Sequence, residues 1–227
     1  MSSDAGGPLA VPLKPSLDGA RIFRFWFPLA ITWSIMAVEV PFLSALISRL
    51  AEPTENLAAF GLALSISMIL ECPVVALLPA AVRLARDDRT FSRLHRFGLV
   101  LLIGVLVGTL VFTLSPALPW FVEHLIGVSG DLARRVQLCL LVLVPFPVAI
   151  GYRRLFQSVL IRRGFTRRVA LGTLVRLLAM AGTALLCFAL LPGLPGAEMA
   201  GLSLTMGTSF EAFATRLMVK QPLAALR

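Results

Sequence analysis

The chain has little of what metal sites, disulfide scaffolds and soluble enzymes are built from. Its three cysteines, Cys72, Cys139 and Cys187, all fall inside apolar runs without metal-ligand spacing. That excludes a zinc site and a disulfide framework and leaves them as small core residues. The two histidines, His95 and His124, are assigned to loops without partners, so no metal is expected there. No glycine-rich phosphate loop and no nucleophile–base set appears, and the chain is read as not an enzyme. His95 with Asp87 and Asp88 on one loop is the single foothold for catalysis. Only 15% of residues are charged, and the net charge of +9 is carried almost wholly by arginine, 19 residues against 2 lysines. These basic residues cluster in short loops between apolar runs, and a groove reading nucleic acid would need a soluble face that is not there.

What the sequence does have is hydrocarbon. Hydrophobic residues make up 58% of the chain and mean hydropathy is +0.88. The apolar residues come in unbroken runs of about 20, enough to cross roughly 30 Å of bilayer at about 1.5 Å per residue. The fold class is therefore all-α: a polytopic membrane protein with the lipid bilayer as its first partner. Six spans are expected, at about 25–50, 57–84, 97–114, 133–161, 169–191 and 198–219. A flexible tail over 1–20, without the compact apolar core of a cleavable signal, precedes them, and a short polar end over 220–227 follows. Residues 116–130, with Trp120 and Phe121, read as an amphipathic piece at the interface. Bends are expected at Pro28, Pro41, Pro73, Pro145 and Pro147. Close helix contact is expected at Gly61, Gly98, Gly104 and Gly108.

Of the 21 lysines and arginines, 17 fall on one set of sides, three on the other, and Arg176 inside a span. This places both termini in the cytoplasm and the bundle in an inner or plasma membrane. Charges inside the spans are the candidate site, because burying them in lipid is costly. Glu39 is 14 residues from Phe25 and Glu71 is 13 from Leu84, so each carboxylate lies roughly 20 Å from the inner surface, near the midplane. On neighbouring antiparallel spans they could share a proton or a cation; otherwise hydroxyls such as Ser34 or Ser67 hold them. Arg176 and Glu211 lie shallower, roughly 10 to 14 Å deep, and a salt bridge between them competes with an anion contact by Arg176. Of Arg153 and Arg154, one snorkels to the headgroups while the other faces the cavity, and Arg154 is the cavity candidate. No cofactor beyond a coupling H+ or Na+ is implied.

Four stretches suggest a family. Pro28-Leu29-Ala30-Ile31-Thr32 resembles the opening helix of the multidrug and toxic compound extrusion transporters and their wider flippase superfamily. Leu57-Ala58-Ala59-Phe60-Gly61-Leu62-Ala63-Leu64-Ser65, followed by Cys72-Pro73, is similar to the progressive-ankylosis branch, as is Arg86-Asp87-Asp88-Arg89-Thr90, and the long fourth helix with the basic turn Arg162 to Arg168 resembles the family's turn between helices four and five. The resemblance implies one six-helix half of a twelve-helix, alternating-access carrier. It implies proton- or sodium-coupled antiport or efflux of an organic ion or drug-like solute, with the second half supplied by a homodimer or a partner. The rival expectations are a flippase for lipid-linked saccharides and a truncated, non-transporting membrane protein.

Overall fold

Proline and glycine punctuate the chain, and hydrophobic runs fill the intervals. The computed structural model describes residues 19–84, 88–128 and 130–219. Most of the 1–20 tail, the 220–227 end and Asp87 lie outside the described residues. Helix α1 spans Gly19–Ile47, α2 Pro53–Val75, α3 Leu77–Leu84, α4 Asp88–Leu114 and α5 Ala117–Phe121, which runs into a π-helical turn, Val122–Ile126. Then come α6 (Asp131–Leu143), α7 (Phe146–Arg162), α8 (Thr166–Leu190) and α9 (Gly196–Met218).

Not every proline interrupts its helix. Helix α1 runs through Pro28 and Pro41 without interruption. Pro73 lies three residues before the joint at Ala76 that divides 57–84 into α2 and α3. Its missing N–H and its ring weaken the preceding turn. Pro145 stands at the joint between α6 and α7, with Pro147 in the first turn of α7. Each jointed pair still forms one crossing, Pro53–Leu84 and Asp131–Arg162. Arg162-Arg163-Gly164 turns the chain into α8, with Gly164 in the left-handed region at φ +78°. Cys72 is exposed on an apolar face rather than in the core. His95 lies within α4 against Phe156, and His124 within the π turn, so neither is in an open loop.

Five helical stretches are long and apolar enough to cross a membrane, and the chain is an all-α polytopic membrane protein. The sixth expected span, 198–219, corresponds to α9, which is not among the five. Its 23 residues would cover about 34 Å, but Glu198, Glu211, Arg216 and a run of serines and threonines make it polar. Its surroundings explain this composition. α9 packs against α1, α2, α6, α7 and α8, so most of it faces protein rather than lipid.

Helices α1 and α2, expected to pair, scarcely touch; α1 packs on α8, and α2 on α6, α9 and α7. The tight α8–α9 hairpin takes the place α2 would have had beside α1. Close approach is bought at glycines other than most of those expected. A Cβ at Gly61, Gly104 or Gly108 would meet nothing within 4 Å, whereas at Gly98 it would press on Leu155. At Gly207 it would come within 2.7 Å of Met180 Cβ and 2.9 Å of the Arg176 carbonyl oxygen. Gly207→Ala is therefore expected to cost about 1–3 kcal/mol and to lower the thermal unfolding midpoint in detergent. Gly61→Ala should leave that midpoint unchanged.

Candidate functional site

The buried apolar residues separate into two clusters. One gathers Leu43, Ile47, Ile66, Ile150, Met180 and Leu204; the other gathers Val74, Leu77, Leu155, Val169 and Val219. On each helix the ionisable side chains fall where the chain passes from one cluster to the other. Glu39 precedes Leu43 on α1, Glu71 lies between Ile66 and Val74 on α2, and Arg153 and Arg154 lie between Ile150 and Leu155 on α7. Arg176 lies between Val169 and Met180 on α8, and Glu211 between Leu204 and Val219 on α9. A polar seam thus crosses the bundle between two apolar layers.

Glu211 is the hub and is 0% exposed. Arg153 Nη1 donates to its Oε2 at 2.6 Å, while Gln157 Nε2 and Thr173 Oγ1 donate to Oε1 at 3.3 and 3.1 Å. Arg176 Nη1 stands 3.9 Å from Glu211 Oε2, and its Nη2 donates to Glu39 Oε2 at 2.5 Å. The expected Arg176–Glu211 bridge is thus the long arm of a chain whose short arm reaches α1. Depths counted from helix ends set Glu39 and Arg176 apart, yet the two meet. Glu39 is 20 residues from Gly19 at the start of α1 and Arg176 is 10 from Thr166 at the start of α8, so these two helix ends are not level.

Glu71 belongs to a second group. The charges acting on it are the guanidinium groups of Arg154, Arg176 and Arg153, most strongly Arg154. The acidic neighbour acting on Glu39 is Glu211. Glu39 is therefore paired with Arg176 and not with Glu71, and the charges bearing on Glu71 are arginines, in keeping with the separation of α1 from α2. The hydroxyls offered as alternatives do not hold them either. Ser34 donates to the Ala30 carbonyl, and Ser67 Oγ is buried without a hydrogen bond.

Both arginines of α7 serve the seam. Arg153 is 3% exposed and bound to Glu211. Arg154 joins it in lining a cleft of about 180 Å³ between α1, α3, α7 and α8, with Thr32, Trp33 and Gln157 on the same wall. Three carboxylates and three guanidiniums balance in charge but not in hydrogen bonds. Glu39 Oε1, Glu71 Oε2 and the Nε atoms of Arg153, Arg154 and Arg176 are buried without a hydrogen-bond partner. Among the described residues no group of three or more His, Cys, Asp or Glu gathers to hold a metal.

Sequence reasoning passed over Arg153 as the partner of Glu211, and missed Gln157 and Thr173. Helical spacing carried the signal. Gln157 is four residues after Arg153 and Thr173 three before Arg176, so each lies on the same face as its arginine. A further cluster at the opposite end was also missed. Arg135 pairs with Glu52 and, at 3.2 Å, with Glu55. Asn56 donates to the carbonyls of Ala51 and Glu52 and accepts from the Ala197 N–H, tying the α1–α2 loop to the start of α9.

No protein-family model, curated protein or solved structure matches this chain.

Removing Glu211 strands the Arg153 guanidinium in the bundle, while Arg176 keeps Glu39, and Glu211→Leu is expected to cost about 3–5 kcal/mol. Arg153→Met combined with Glu211→Leu should recover a substantial part of that loss, measured by unfolding in detergent. Equal destabilisation by the single and double variants would count against direct coupling of the pair.

Proposed function

We propose that the chain is a secondary active transporter of the alternating-access type, working as a six-helix half beside a second copy or a partner half. The observation that carries this reading is the charged seam. Six ionisable side chains from five helices meet between two apolar layers, carboxylate and guanidinium atoms among them are left without hydrogen bonds, and Arg153 and Arg154 line a cleft. Charges held inside a membrane bundle mark ion or solute pathways far more often than they serve packing. The resemblance of the opening helices to the multidrug and toxic compound extrusion superfamily supports the same reading.

Glu39 is bound to one arginine, Arg176, and faces no cluster of acids among the described residues that would cage a metal cation, which suits a proton as coupling ion. Protonating Glu39 would remove the one ion pair that ties α1 to the bundle among the described residues and free Arg176 to complete its contact with Glu211. The two arginines at the cleft favour an organic anion over a cation as solute. Taking Arg153 and Arg154 out of the inner count, since they belong to the seam, reduces 17 to 15 basic residues against three. The bias still supports cytoplasmic termini. A second reading, a non-transporting membrane scaffold, draws on the charge balance itself, since three acids matched by three arginines also stabilise a resting structure.

Proteoliposomes under an imposed proton gradient separate the two. A transporter moves organic anions in response to the gradient, and Glu39→Gln lowers that flux about tenfold or more at equal reconstitution. Flux that is absent, or indifferent to Glu39→Gln and Glu71→Gln alike, would favour the scaffold.

A further inference from the structure

A larger groove lies away from the seam, on the flank formed by α4, α7 and α9. Its volume is about 480 Å³, and its wall is hydrocarbon, with Leu102, Ile103, Val148 and Phe213 among its residues. One charged side chain lines it, Arg216, with Tyr152 from α7. The guanidinium of Arg216 lies 4.7 Å over the ring of Phe156. The His95 ring is 5.7 Å from that same ring, close enough for Arg216 to act on it electrostatically. No carboxylate pairs with Arg216 among the described residues.

The groove therefore has two chemically different ends. Towards the middle of the bundle, Leu106, Pro145 and Ser209 close it without charge. At the other end Arg216 stands in the last turn of α9. The first turns of α4, with Arg89, Arg93 and Arg96, and the Arg162–Arg168 turn gather on that same side. An apolar slot in the flank of a membrane bundle, opening at one end on a cation with no carboxylate partner among the described residues, has the layout of a phospholipid: acyl chain inwards, anionic phosphate at the interface. Basic pockets between spanning helices take anionic headgroups for this reason, and phosphate suits the guanidinium fork.

We propose that this groove holds an acyl chain of one anionic phospholipid, with its headgroup phosphate bound by Arg216. A neutral zwitterionic lipid has the same tail but carries a compensating cation, so the site distinguishes the two by charge. The proposal does not rest on transport activity; a scaffold would bind the lipid equally well.

Native mass spectrometry tests it on the full chain released from nanodiscs containing equal amounts of phosphatidylglycerol and phosphatidylcholine with identical chains. One phosphatidylglycerol is expected to stay bound in preference. Arg216→Gln should lower its retention about tenfold, and Arg216→Lys should keep most of it. Ala149→Phe, which sets a ring into the groove wall, should reduce retention of both lipids while circular dichroism stays helical. Equal retention of the two lipids would overturn the proposal. So would phosphatidylglycerol unaffected by Arg216→Gln, displacement by inorganic phosphate alone, or a lipid-free dimer covering this face.

Discussion

The architecture depends on keeping one carboxylate neutralised out of water. Glu211 has no exposed surface, and an isolated charge there would be prohibitive. Arg153 and Arg176 approach it from two different helices, with Gln157 and Thr173 completing its oxygens. These contacts fix the relative rotation of α7, α8 and α9. They also call for the near contact of α8 and α9 that Gly207 permits, since a side chain at 207 would push against the backbone carrying Arg176. Helix α1 is then attached to this centre through Glu39 and Arg176.

This constraint also explains why the most polar long helix is the interior one. In water a core helix is apolar and its polar residues face out. In a bilayer the outer face is already hydrocarbon, and side chains that need partners find them only against other helices. α9 carries Ser203, Thr205, Thr208, Glu211 and Thr215 on buried positions and Met206, Phe210, Phe213 and Leu217 on exposed ones. The apolar layers on either side of the seam keep the charges away from both ends of the bundle, and the cleft lined by Arg153 and Arg154 borders them.

Much of this was legible in the sequence, and the remainder failed for definable reasons. Run length and composition sufficed for an all-α membrane bundle, since few other structures satisfy backbone groups in hydrocarbon. The spans of α1, α4 and α8 follow from their hydropathy, and the joints beside Pro73 and Pro145 from the chemistry of proline. Every charged residue singled out as buried does lie in the seam. What could not be read was who pairs with whom. Glu39 and Glu71 looked like partners because their spans are consecutive and their depths similar, but consecutive helices need not touch. The contact between Glu39 and Arg176 joins residues 137 apart in sequence, and nothing local encodes it. Glycine was misjudged for the same reason, because Gly104 and Gly207 look alike until the facing helix is known.

The central claim is that the Glu39–Arg176 contact is a releasable tie between α1 and the α7–α8–α9 unit. Electron–electron double resonance between spin labels at Arg24, on the N-terminal part of α1, and Arg167, in the first turn of α8, addresses it directly in reconstituted protein. The account predicts a second distance population that grows on acidification and is present at every pH in Glu39→Gln. A single distribution, the same at all pH values and unaltered by Glu39→Gln, would contradict it.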